Sequence, residues 1–461
     1  MKTVSDWAKW ASVIAAMVLL GEATTHGQGI ATIQSGGTQA FVTGVTPVIG
    51  PNGGVGGVSV DTAGVVRLAE DLDALRGLWV QPKDLDQDIA EETELRMVSL
   101  RRLHAQLKQR LQEEKPITEA MFFLAGLHRV EYVFVVPEQK DVLLAGPAGA
   151  WKSNGLGQTV SVATGAPVVR LDDLAVALRC ERDPNTTTSC SIEPSEEGLT
   201  RFSKLKLRNG ASAQSTVKAM ERALGQQRVL LTAVPEHSHF AAVMVAADYW
   251  MKRYAMGFDD PPIKSMPSYM TLLQRRGGSR RVTSPRWWMA PNYEPLRRAP
   301  DGSVWRLSGV GVQTRTQDGV FDARGERVET EERNELAEQW AETMTTNFEQ
   351  LCEERPLFGE LRNCFDLSVI AAIIAHRGLL ELAECELPLL LDSSKWTPKF
   401  NVPTGLPSKG SMVRVRSGWA VSVSGGVDID TAKVIAEWND EPDLAPKPSQ
   451  PYPSDETQWW W

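Results

Sequence analysis

The chain has 461 residues, 42% of them apolar and 23% charged, with a formal net charge of −9. That length accommodates two or three domains of roughly 100–200 residues. The charged share argues against wholesale disorder, and the acidic balance excludes a globally basic nucleic-acid binder. Five cysteines are too few for a disulfide scaffold and lack zinc-finger spacing.

Lys2 and Lys9 accompany the apolar run Ala11 to Leu20, and Gly21-Glu22-Ala23 places small residues at the −3 and −1 positions of a cleavage site. This predicts a secretory signal peptide over residues 1–23. The apolar run is too short to span a bilayer, for which a helix needs about 20 residues. The mature protein is therefore expected to be exported, periplasmic or extracellular, with no transmembrane segment. Residues 24–57 are rich in glycine and predict a flexible leader, because such a segment buries too little apolar area to offset its ordering entropy.

Residues 58–265 read as an α/β domain. It opens on a hairpin over Val58 to Leu68. Leu100, Leu103, Leu107 and Leu111 mark an amphipathic helix, and Pro116 opens a second helix through Leu127. Val130 to Pro137 predicts a strand with its return at Val142 to Ala145. Asp172 is placed to cap a helix ending near Arg179. A helix over Gln214 to Leu224, a strand over Arg228 to Ala233 and a long helix carrying Phe240, Met244, Ala247, Met251 and Tyr254 complete this part.

Residues 266–438 read as an α+β domain. Arg281 to Ala290 and Ser303 to Val312 predict strands. A helical pair over 331–386 carries the stripe Leu336, Trp340, Met344, Phe348 and Leu351, then an almost wholly apolar helix after Pro356. A hairpin is expected at Met412 to Arg416 and Trp419 to Ile429. Residues 439–461, acidic and proline-rich up to Trp459-Trp460-Trp461, predict a disordered tail of unassigned role. The whole is α+β, or α/β, with mixed sheets and hairpins and a helical segment near the C-terminal third.

Export permits disulfides. Cys180 and Cys190 bracket a turn-rich loop and predict one. A pairing of Cys352 with Cys364 is left open, and Cys385 is expected to be a buried free thiol.

Several phrases taken together carry a resemblance: His239 to Arg253 (HFAAVMVAADYWMKR), Pro285 to Tyr293 (PRWWMAPNY), Phe358 to Asn363 (FGELRN) and Val421 to Ile429 (VSVSGGVDI), with Leu100 to Leu174. The chain resembles a family of exported proteins of planctomycete-type bacteria known as a domain of unknown function. The resemblance spans most of residues 60–430. It implies secretion and a shared fold, and no activity or site.

Gly146 to Ser153 (GPAGAWKS) nearly matches a phosphate-binding loop. Trp151 stands where that loop needs glycine, so a turn anchored by tryptophan is the better account. His237-Ser238-His239 begins a helix, which splays the two imidazoles, and no third ligand follows at a familiar spacing. A capping role for Ser238 is expected, with no metal and no cofactor. Asp248 and Lys252 predict a solvated i, i+4 ion pair. Asp172-Asp173 and Asp259-Asp260 predict a helix cap and a turn. There is no G-x-S-x-G elbow.

The segment 275–298 reverses the local charge sign, with seven arginines against the single acid Glu294. Arg275, Arg276, Arg280, Arg281, Arg286, Trp288 and Tyr293 are the candidate ligand-binding residues, since guanidinium forks bind oxyanions and indoles stack. The favoured structural account has Trp287 and Trp288 on opposite faces of a strand and the arginines paired with internal acids. The functional expectation is a non-catalytic binding or scaffolding protein of the cell envelope. Its partner would be an anionic envelope polymer or another exported protein. The alternative is a secreted hydrolase whose site assembles from separated loops, which converging carboxylates or a Ser/Cys–His contact would favour.

Overall fold

The computed structural model describes residues 57–60, 66–69, 79–80 and 87–461, apart from 155–157, 184–186, 206–211, 277–284, 318, 322–326, 330–333, 401, 410–412, 416–417, 421–424 and 445–450. The expected signal peptide and nearly all of the glycine-rich leader lie outside the described residues. In chain order the principal strands are β1 (Thr93–Ser99), β2 (Tyr132–Val136), β3 (Asp141–Ala148), β4 (Thr188–Pro194), β5 (Gln226–Thr232) and β6 (Arg286–Asn292). They continue as β7 (Leu296–Arg298), β8 (Val304–Arg306), β9 (Gly311–Gln317), β10 (Gly405–Pro407), β11 (Gly425–Ile429) and β12 (Trp438–Asp440). The principal helices are α1 (Leu100–Gln112), α2 (Leu171–Cys180), α3 (Ala213–Leu224) and α4 (His239–Met256). After them come α5 (Tyr269–Arg276), α6 (Glu335–Thr346), α7 (Phe348–Glu354) and α8 (Pro356–His376).

Two six-stranded sheets carry the fold, ordered β9-β6-β11-β4-β5-β10 and β12-β7-β8-β2-β3-β1. Each is antiparallel except for one parallel pair, β6 with β11 and β7 with β12. The mixed α+β class expected from the sequence is therefore the one observed. Strands from either side of residue 265 sit in both sheets, so the boundary placed between 265 and 266 does not divide them. Helices α2, α4 and α8 pack on one another, and α4 also lies on β4 and β11. Helix α8 is buried almost all round, as its mostly apolar composition predicts.

The strands expected at 281–290 and 303–312 become parts of one long arm that serves both sheets. β6 pairs with β9 in the first sheet, and β7 pairs with β8 in the second. The chain changes sheet at Gly309 (φ 118°), where a side-chain carbon would lie 3.0 Å from Tyr293 Cα. Only glycine fits both that approach and that backbone conformation.

The helix expected over 116–127 is a second departure. Thr118 caps a single turn, Glu119–Phe122, and the backbone then turns left-handed at Leu124 and Ala125. The buried Arg96 guanidinium donates to Ile89 O (2.7 Å) and Ala125 O (2.9 Å). Carbonyls captured by a buried charge have no need of an i+4 amide, so tertiary contact overrides helical propensity here. Trp151 packs against Phe123, and its Nε1 donates to Glu119 (3.0 Å), which anchors the turn after β3.

The disulfide expected between Cys180 and Cys190 is not formed: all five cysteines are free and buried, as was expected of Cys385. Cys190 sits in register on β4 opposite Leu231 and Val427, whereas Cys180 Sγ closes α2 against Ala233 O (3.5 Å). Each thiol is housed in its own packing environment and no disulfide joins them.

The second sheet is apolar on both faces. Val133, Val135, Val142 and Leu144 face the main core. Phe134, Leu143, Ala145 and Met97 face the other way, onto Leu444 and Trp461. Leu444 and Trp461 thus lie against this outer face, and Trp459 to Trp461 pair at the sheet edge opposite β12. The disordered tail expected over 439–461 is corrected at both ends: β12 is an edge strand, and Trp459 and Trp461 are buried. Three tryptophans offer more apolar area than the polar composition of the segment suggests, and an open sheet edge gives their backbone partners.

Candidate functional site

Two constellations deserve chemical description. The first joins α2, α4 and α8. Ser238 caps α4 by accepting from Ala241 N (3.1 Å), which sets His239 as the first helical residue. Its Nδ1 lies 2.8 Å from Asp173 Oδ2 on α2, and its Nε2 lies 4.0 Å from Glu360 Oε1 on α8. Gln158 Nε2 donates to the other Glu360 oxygen (2.6 Å). Arg170 grips Asp172 through Nε (3.1 Å) and Nη2 (3.2 Å), and its guanidinium lies over Phe400, whose ring also packs on His239. Asp172 and Asp173 are therefore ion-pair partners in the first turn of α2 rather than its cap, and the residue at the cap position is Arg170.

Burial and the Arg170 charge push the His239 pKa down, and Asp173 and Glu360 push it up; the carboxylates win, and it lies above 6.5. Asp173 Oδ1 is buried with no hydrogen-bond partner among the described residues. The sequence placed these residues in separate roles, and only the packing of three distant helices brings them together. His237, by contrast, is exposed and meets the site only through its carbonyl, which accepts from Phe400 N (2.8 Å). Among the described residues no group of three or more His, Cys, Asp or Glu is arranged to hold a metal ion.

The second constellation is a groove between the open edge of β1 and the start of α1, filled by Tyr452 to Trp461. Met97 N donates to Trp461 O (2.9 Å), Trp461 N to Met97 O (3.1 Å), and Ser99 N to Trp459 O (2.8 Å), so the segment adds an antiparallel strand to the sheet. Arg102, 2% exposed, donates to Asp455 O (2.8 Å), Gln458 O (2.9 Å), Pro453 O (2.9 Å) and Glu456 Oε1 (3.2 Å). Tyr452 lies under that guanidinium, and Trp460 lies under that of Arg96. Arg101 pairs with Glu456 at 2.9 Å. Asp141, wholly buried, accepts from Tyr452 Oη (2.8 Å), Arg101 N (3.0 Å) and Ser99 Oγ. Burial raises the Asp141 pKa further than these hydrogen bonds lower it. The sequence signal for this groove was the cluster Trp459-Trp460-Trp461, which a solvated tail does not need.

Among the described residues, the arginines and aromatic residues of segment 275–298 sit in several separate settings. Arg275 and Arg276 end α5, and Arg276 pairs with Glu335 (2.6 Å). Arg280 and Arg281 lie outside the described residues. Arg286 and Trp288 are half-buried on β6, with Trp287 on the opposite face buried against Tyr269 and Trp340. Arg297 and Arg298 meet Glu441 (3.3 Å) and Asp440 (2.7 Å). Tyr293 donates to Asp366 Oδ1 (2.7 Å), the same carboxylate that Arg129 holds through Nε (2.8 Å) and Nη2 (2.9 Å). Asp248 and Lys252 (2.9 Å) are not solvated as expected: Asp248 is 0% exposed, and Lys252 also donates to Ile192 O (3.2 Å).

Residues 190–269, spanning β4 through the start of α5, match a family described as "Protein of unknown function (DUF1598)". That stretch contributes His239 to the first constellation and nothing to the groove. No curated protein and no solved structure matches the chain. No helix among the described residues is long and apolar enough to cross a membrane.

Proposed function

We propose that this is an exported, non-catalytic binding or scaffolding protein of the cell envelope. The leader pattern of residues 1–23 supports export, with Ala23 as the last residue removed. The observation that carries the binding reading is the groove beside β1. It holds the chain's own segment 452–461, which turns at Glu456–Thr457 and pairs with the sheet edge at its last residues, by main-chain pairing, a buried arginine and aromatic stacking, the means by which peptide-binding domains add a strand to a sheet edge. The hydrolase alternative has the Asp173–His239 pair in its favour. Yet the free imidazole nitrogen faces a carboxylate rather than a nucleophile, and His239 is only 3% exposed. The binding reading is therefore preferred.

The test uses the full chain carrying Trp459→Ala and Trp461→Ala, which weakens the resident segment and leaves the groove intact. A fluorescent peptide with the sequence of residues 451–461 is titrated in and followed by anisotropy. Saturable binding to the variant, and none to the occupied parent, is expected. A folded variant that ignores the peptide defeats the reading.

A further inference from the structure

We infer that the groove beside β1 is an exchange site that takes segment 452–461 from a second copy of this chain. The inference rests on the binding reading above and names its partner.

The hydrogen-bonding and cation–π partners of the segment in the groove are a compact set, Arg96, Met97, Ser99, Arg101, Arg102 and Asp141, while Trp461 packs with Phe134, Leu143 and Ala145 and Trp459 joins the main core. None of these contacts depends on which molecule the segment belongs to. A copy of the same segment arriving from another molecule would make the same contacts, the condition under which exchange is a low-cost route to assembly.

The complementarity is specific in charge and shape. Three arginines line the groove, and the segment brings Glu456 to two of them and aromatic faces to Arg96 and Arg102. The occupant that fits is an acidic, aromatic segment with a turn at Glu456–Thr457 and an extended end, and every other copy of this protein carries one. The groove also cannot stand vacant without cost. Without the segment, Arg102 loses four acceptors, Asp141 loses Tyr452, and the edge of β1 lies open. A molecule whose own segment is disengaged therefore presents an unsatisfied site that a second copy can fill.

The resident segment is covalently attached and so competes with the concentration advantage of an intramolecular partner. Exchange is thus suppressed in dilute solution and favoured where copies are crowded or where the resident segment is displaced. Reciprocal exchange closes a two-fold dimer, and one-way exchange leaves a groove free for the next copy.

The experiment pairs two full-length chains. The acceptor carries Trp459→Ala and Trp461→Ala, so its groove is intact and its own segment is weakened. The donor carries Arg102→Ala, so its groove is damaged and its segment is intact. Each alone is expected to run at the monomer mass in size-exclusion chromatography with light scattering, and the mixture at twice that mass. Should Arg102→Ala fail to fold, Met97→Pro is the second donor. It removes the outward N–H that Trp461 uses, on an edge strand where proline is tolerated, together with the buried Met97 side chain that packs with Trp461. A mixture that stays monomeric while the acceptor still binds the free 451–461 peptide overturns the exchange and leaves the binding reading standing. A mixture that stays monomeric with no peptide binding defeats both.

Discussion

His239 sits where charge is decided by neighbours rather than by residue type. Its ring lies between Asp173 and Glu360, with Arg170 engaged by Asp172, so protonation lowers a local excess of negative charge. The folded-state pKa lies above 6.5. The ionised ring accordingly stabilises the fold fully below about pH 6.5, and that contribution is lost as pH rises through the folded value. Each pH unit between the two values is worth about 1.4 kcal/mol. We expect the melting temperature of the parent to fall over that window and the fall to be reduced in His239→Asn. A variant retaining the parental pH slope would assign the titration to another group. Ser238 as cap was legible in the sequence, because serine before an apolar run is a local signal. The partners of His239 were not, since Asp173 and Glu360 are 66 and 121 residues away in the chain (239 − 173; 360 − 239).

At the scale of elements, β6 tests how far a residue pattern predicts a face. Adjacent tryptophans on a strand must point to opposite sides, and the structure buries Trp287 against Tyr269 and Trp340 while leaving Trp288 half-buried. Trp287→Ala should cost roughly 3–5 kcal/mol in chemical denaturation. Trp288→Ala should cost clearly less, and equal losses would contradict the assigned faces. Helices α1, α3, α4 and α8 were legible for the same reason, since their apolar periodicity or composition reports burial directly. The segment 116–127 was not, because its apolar residues serve a tightly packed turn organised by Arg96. The division of one long arm between two sheets was equally hidden. Each half reads as a strand, and nothing local says which sheet it joins.

Across the whole molecule the five cysteines report on a shared core. They come from α2, β4, α7, α8 and the chain just after Leu379–Leu382, and all are buried. Burial pushes the thiols of Cys180, Cys352 and Cys385 up to about 12, and those of Cys190 and Cys364 well above their usual value. Alkylation followed by intact-mass measurement should find no modified cysteine in the native protein and five after unfolding, without reductant. A mapped bond between Cys180 and Cys190 would reverse this conclusion. By itself the sequence determined the α+β class, most helices and strands, the buried α8 and the opposite faces of Trp287 and Trp288, because each follows from local periodicity and capping. Tertiary structure alone decided the mixing of strands from both halves in two sheets, the free thiols, the His239 cluster and the docking of Tyr452 to Trp461. Those outcomes depend on which distant surfaces have unpaired backbone, unpaired charge or uncovered apolar area, and no window along the chain contains that information.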